Sequence, residues 1–137
     1  MPLYRMTLYA KGVEFYCAPT VDDREVWLAT MKHVAVEGRC FVLAACQFAT
    51  AEDYPREMAR DSATPDPMIS GGSAIIDPMG EVLAGPVRGS QAVLFADCDL
   101  GAIARGRFDL DVTGHYARPD VFQLSVDERR QGIQFES

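Results

Sequence analysis

The first 47 residues leave the chain little freedom, because helix, strand, helix and strand signals follow one another with almost no linker between them. Residues 1–12 (MPLYRMTLYAKG) set Leu3, Met6 and Tyr9 or Ala10 on one side at helical spacing, and Gly12 is a natural stop. Residues 13–17 are a short apolar and aromatic run that Ala18-Pro19 ends, which fits a buried strand opening into a loop. Asp22 followed by Glu25 has the spacing of a capping box, and Trp27, Met31, Val34 and Ala35 share one helical face. Gly38 closes that helix, and residues 40–46 are a continuous apolar run of strand length. Two strands joined through a helix are expected to pair in parallel with a right-handed crossover and with helices covering the sheet, an α/β layer fold. The first helix has no visible beginning. The segment therefore reads as the middle of a domain, with something expected before Met1.

Beyond this unit the pattern loosens. Residues 50–72 carry Pro55, Pro65, Pro67, Gly71 and Gly72 among charges and small polar groups, which predicts an exposed excursion with one short helical turn near residues 53–60. Its part from Asp61 to Gly72 is a candidate to shape the entrance of a site. Residues 73–76, the turn Asp77-Pro78-Met79-Gly80 and residues 81–84 read as a hairpin, since Pro suits the second turn position and Gly the positive φ that follows. A further strand is expected over residues 92–98, then a short helix capped by Asp99 and running through Arg107. From Phe108 onward, Gly114, Pro119 and many charges predict an extended tail.

At 137 residues the chain fits one domain. A domain of this size buries roughly 70% of the surface its unfolded chain exposes. No apolar run is long enough to cross a bilayer and no secretory leader is visible, so a cytoplasmic protein without a membrane role is expected. The net charge of −7 with scattered Lys and Arg argues against a nucleic-acid partner. Cys17, Cys40, Cys46 and Cys98 each lie in or beside an apolar run, which fits reduced, buried thiols better than a disulfide framework.

Few residues have the pattern of reactive groups. Cys17 sits at a strand end before a helix N-terminus, which could lower its pKa, yet no base is placed for it, and a buried structural thiol is the simpler reading. His33 and Glu37, at i and i+4, share a helical face, but two ligands without others converging make no metal site. Asp97 with Asp99, and Asp109 with Asp111, are spaced like acid pairs, and capping accounts for Asp99. His115 beside Tyr116 is expected to fix the tail against the body or a second subunit. Gly71-Gly72-Ser73 is no phosphate loop, because neither Lys nor a helix follows it.

Three segments in order resemble the nitrilase family of carbon-nitrogen hydrolases: GVEFYCAPTVDDREVWLATMKHVAVEGRCFVLAACQ, GGSAIIDPMGEVLAG and GHYARPDVFQL. The resemblance implies half of a four-layer αββα sandwich, with residues 1–126 as the C-terminal half of a nitrilase-type domain and residues 127–137 as a tail. The family hydrolyses nitriles to a carboxylic acid and ammonia with a cysteine nucleophile, a glutamate base and a charge-stabilising lysine, and needs no cofactor or metal. All three residues fall before Met1 in the family's order, so the resemblance carries no catalytic residue onto this chain and implies inactivity alone. What it carries over is a pocket wall of Cys17, Ala18, Pro19 and Thr20 at a strand's carboxyl end, continued by Val21 and Asp22. It also implies that Leu3, Met6, Tyr9, Trp27 and Met31 divide between the sheet and a dimer interface, the partner being a second copy or the missing N-terminal half. The competing expectations are a stand-alone, non-catalytic interaction module that oligomerises, and an enzyme that uses Cys17 itself.

Overall fold

The computed structural model describes residues 1–55 and 67–129. Its order is α1 (Pro2–Ala10), β1 (Phe15–Thr20), α2 (Glu25–Gly38), β2 (Phe41–Cys46), β3 (Phe48–Ala49), a 3₁₀ turn (Ala51–Asp53), β4 (Ile69–Ile76), β5 (Val82–Arg88) and α3 (Gly101–Asp109). β1 and β2 pair in parallel from Phe15↔Phe41 to Thr20↔Cys46, as the two strands linked through α2 predict. β3, β4 and β5 add antiparallel pairings, giving a five-stranded sheet.

α1 and α2 gather on one face of this sheet. Met31, Val34 and Ala35 of α2 are buried against Val42, Ala44, Ala74 and Ile76, with Trp27 partly buried beside them. Tyr9 is the buried residue of α1, while Leu3 is exposed. Its ring lies against Gly38, where any Cβ would enter the ring space, and its hydroxyl donates to Glu37 Oε2 at 2.9 Å. A glycine expected only to end the helix is thus its last helical residue and a seat for Tyr9. The left-handed position passes to Arg39, with φ +46.

Arg39 is only 4% exposed, and its guanidinium donates to the Pro78 carbonyl at 3.2 Å and to Asp109 at 2.7 Å. One buried side chain therefore ties the end of α2 to the hairpin turn and to the end of α3. That turn closes as expected: Gly80 N–H donates to the Asp77 carbonyl, Asp77 N–H to Glu81, and Gly80 has φ +85.

Several boundaries differ from expectation for physical reasons. β1 runs through Ala18-Pro19 to Thr20, because β1 pairs with β2 alone and proline's missing N–H breaks no ladder on its open edge. Asp22 does not cap α2; its carboxylate takes the Arg24 N–H and guanidinium, and Arg24 is the N-cap. Within residues 50–72, a 3₁₀ turn forms at Ala51–Asp53, and β4 begins at Ile69 with both glycines inside it. The rest of the expected helical turn, residues 56–60, lies outside the described residues, as do residues 61–66. Residues 92–98 form no strand: they have no ladder partner here, with Val93 78% and Phe95 83% exposed. Asp99 does accept the Gly101 N–H at 2.8 Å, and α3 continues past Arg107 to Asp109. The stretch from Leu110 to Arg129 is irregular and mostly exposed, as a tail should be.

Candidate functional site

The site grows from an interruption in one ladder. β2 and β3 lie along the same edge of β4 in a single register, Val42↔Ile76 to Ala44↔Ala74 and then Phe48↔Ser70 to Ala49↔Ile69. Between them the backbone pairing stops. There the Ser73 hydroxyl takes the Cys46 N–H at 3.0 Å and donates to the Cys46 carbonyl at 2.9 Å, so a side chain satisfies both groups that the ladder leaves open. A cleft of about 490 Å³ opens at this break. Pro19 and Thr20 form one wall, Cys46 and Gln47 lie at the break, and Ser73, Val87 and residues 90–92 form the other side. It sits at the carboxyl ends of the two parallel strands, where open α/β sheets place ligands.

The lining carries no Lys, Arg, His, Asp or Glu among the described residues. Hydroxyls and amides there can orient a neutral polar molecule, but they cannot activate a nucleophile or balance a developing negative charge. Burial, with a smaller push from Asp23, raises the Cys46 thiol above its ordinary pKa, so it stays protonated at neutral pH. Of the four pocket-wall residues expected from the sequence, Pro19 and Thr20 line the cleft. Ala18 is buried under the helices, and Cys17 projects from the opposite, open face of the sheet. The expectation that all four thiols are buried fails at Cys17, which is exposed, and at Cys98, which is half-buried; Cys40 and Cys46 are buried, and burial pushes Cys40 up to about 11.

Other candidates resolve into structural contacts. His33 Nε2 lies 3.5 Å from Glu37 Oε1, and no metal-binding group of three or more side chains forms among the described residues. Asp109 pairs with Arg39, while Asp111 accepts from Thr113 and Gly114 in a turn. His115 packs on its neighbour Tyr116, 4.8 Å between ring centres, and both are exposed rather than pinned to the body. Among the described residues, no helix is long and apolar enough to cross a membrane.

Behind the cleft lies a cluster the sequence reading did not single out. The Asp23 carboxylate accepts the Ser70 N–H at 2.8 Å and its hydroxyl at 2.9 Å, while the Arg88 guanidinium donates to the Asp23 carbonyl and to Gly71 O. These bonds, led by the Ser70 N–H, hold the Asp23 carboxyl below its usual range. The available sequence signal was the Gly71-Gly72 pair inside a strand, which marks a close approach by another group.

A sequence profile of the carbon-nitrogen hydrolase family matches residues 1–108. The chain belongs to this family. Among curated relatives, it is 55% identical over 130 residues to an aliphatic nitrilase of Sinorhizobium fredii (strain HH103), covering 93% of this chain and 42% of that protein. It is 55% identical over 132 residues to an arylacetonitrilase of Trametes versicolor (strain FP-101664), covering 93% and 41%. A bifunctional nitrilase/nitrile hydratase of Lupinus angustifolius is 54% identical over 135 residues, covering 93% and 39%. The chain thus spans about two fifths of the length of these relatives. Solved structures agree on the fold: the C. elegans NitFhit protein superposes with TM-score 0.64 at 22% identity, over 97% of this chain and 30% of that one. A Helicobacter pylori G27 carbon-nitrogen hydrolase gives 0.65 at 16%, over 89% and 44%. This family member therefore has a nitrilase-type α/β fold.

Proposed function

We propose that residues 1–126 act as the C-terminal half of a nitrilase that hydrolyses nitriles to carboxylic acid and ammonia, with residues 127–137 as its tail. The observation that carries this reading is identity above one half, along nearly the whole chain, to proteins named as nitrilases. The cleft fits its share of the work: it offers neutral hydroxyl and amide groups to a linear, uncharged substrate and no charged group of its own. The cysteine, glutamate and lysine of nitrile hydrolysis would come from a preceding half, so these residues alone are expected to be inactive. Covering by that half also accounts for an open sheet face carrying Phe15 and Cys17, with Phe15 42% exposed. Free thiols and the lack of a membrane-spanning helix among the described residues fit a cytoplasmic setting.

The test is ammonia release from a short aliphatic nitrile and from phenylacetonitrile, by the 137 residues alone and by a protein in which a nitrilase N-terminal half precedes Met1. Release only by the longer protein supports the reading. Release by the short chain, or by neither, overturns it.

The same open face favours a second reading, a non-catalytic module that pairs with itself. Light scattering separates the two: a defined dimer of the 137 residues that does not take up a co-expressed N-terminal half supports the module.

A further inference from the structure

Asp23, Ser70 and Arg88 join the two sides of the cleft from behind. Asp23 belongs to the loop that follows β1, and the last two residues of β1, Pro19 and Thr20, form one wall. Ser70 and Arg88 belong to β4 and β5, whose Ser73 and Val87 form the other. The Ser70 hydroxyl turns to Asp23, whereas Ser73 lines the cleft. The bonds between the two sides are numerous for so exposed a region: two from Ser70 to the Asp23 carboxylate, and a guanidinium shared between the Asp23 carbonyl, Gly71 O at 3.4 Å and Ser70 Oγ at 3.5 Å. Room for that guanidinium exists because position 72 is glycine. A Cβ there would stand 3.2–3.3 Å from its atoms, at a φ of +121 that side chains rarely adopt. The Thr20 hydroxyl accepts the Asp22 N–H at 2.9 Å, so the wall residue is coupled directly to the clamped loop.

We infer that Asp23 is a positioning residue: with Ser70 and Arg88 it holds the loop that follows Thr20 at a fixed distance from the Ser73–Val87 side, and so limits the bulk of nitrile the cleft admits. This rests on the nitrilase reading above. The carboxylate acts as an acceptor of two hydrogen bonds and not as an acid or base, since it faces Ser70 and not the cleft. An amide oxygen can accept the same two bonds.

The experiment compares Asp23→Ala, Asp23→Asn and Arg88→Met in the protein that contains both halves. It reads kcat/KM for phenylacetonitrile and for a short aliphatic nitrile, with melting temperature alongside. The expected result is that the ratio in favour of the bulky nitrile rises about tenfold in Asp23→Ala and Arg88→Met, the size of effect a change of about one methylene in pocket width produces. Asp23→Asn is expected to restore the original ratio, and the Asp23→Ala/Arg88→Met pair to go no further than either single change. Equal loss on both nitriles, or an Asn variant as altered as the Ala variant, overturns the inference. If the unaltered protein hydrolyses no nitrile, the nitrilase reading has failed on its own. The clamp is then read by amide hydrogen exchange: faster exchange at residues 20–24 and Ser70 in Asp23→Ala supports it, and unchanged exchange overturns it.

Discussion

The Ser73 hydroxyl holds Cys46 by both of its backbone groups, 3.0 Å from the nitrogen and 2.9 Å from the oxygen, where the β2–β4 pairing would otherwise have a gap. Removing that hydroxyl leaves a buried N–H and C=O without partners at the centre of the sheet. Ser73→Ala is expected to cost about 1–3 kcal/mol. Urea denaturation measures it, and an unchanged midpoint would show that water replaces the hydroxyl at no loss.

Gly38→Ala sets two effects against each other. Alanine is the better helix former by about 1 kcal/mol, but its Cβ would enter the space of the Tyr9 ring. Overpacking of this kind costs about 1–3 kcal/mol, so the change is expected to lower the melting temperature. A rise would mean that Tyr9 moves aside freely; the Tyr9→Leu background, which removes the clash, should convert the change to a gain.

Glu37 links the two outer helices. Burial works to raise its pKa, but hydrogen bonds from Tyr9 and Arg5 outweigh it and hold the carboxyl below its ordinary value. A group depressed in the folded state contributes stability above its unfolded pKa of about 4.3 and loses it as pH falls through the folded value. Stability is therefore expected to fall below about pH 4, and Glu37→Gln to flatten that part of the profile while costing about 1–2 kcal/mol at pH 7. Denaturation midpoints between pH 3 and pH 7 decide it. An identical slope in the variant would assign the loss to other carboxylates.

Thiol labelling tests both the sheet's orientation and the proposed sandwich. In the 137-residue chain Cys17 is expected to react with a small disulfide reagent under native conditions, whereas Cys40 and Cys46 wait for unfolding. In a protein with both halves Cys17 should become protected. Equal reactivity in the two would show that the open face is not where the preceding half sits.

Much of this fold was legible because local pattern and final packing agree. The α2 stripe of Met31, Val34 and Ala35 is a period read directly from the sequence, and the Asp77–Gly80 turn has a residue suited to each position. What was hidden depends on contacts distant in sequence. Nothing local says that Gly38 makes room for Tyr9, or that Arg39 and not a glycine takes the left-handed position, held by Asp109 from α3. Residues 92–98 have the composition of a strand but lack a partner strand, which composition does not reveal. The pocket wall was half legible: Pro19 and Thr20, the last two residues of β1, line the cleft, but Ala18 turns under the helices and Cys17 lies further back along the strand, and the Asp23–Ser70 contact joins residues far apart in the chain.

The shared register of β2 and β3 along β4 also limits how this stretch can vary in length. Strand faces alternate with every residue, so one residue inserted between Cys46 and Phe48 would turn Ala49 out of its buried seat beside Ile69 and bring Phe48 into its place, and one deleted there would bring Thr50. Among homologues, then, this corner of the cleft can change its side chains but not its number of residues.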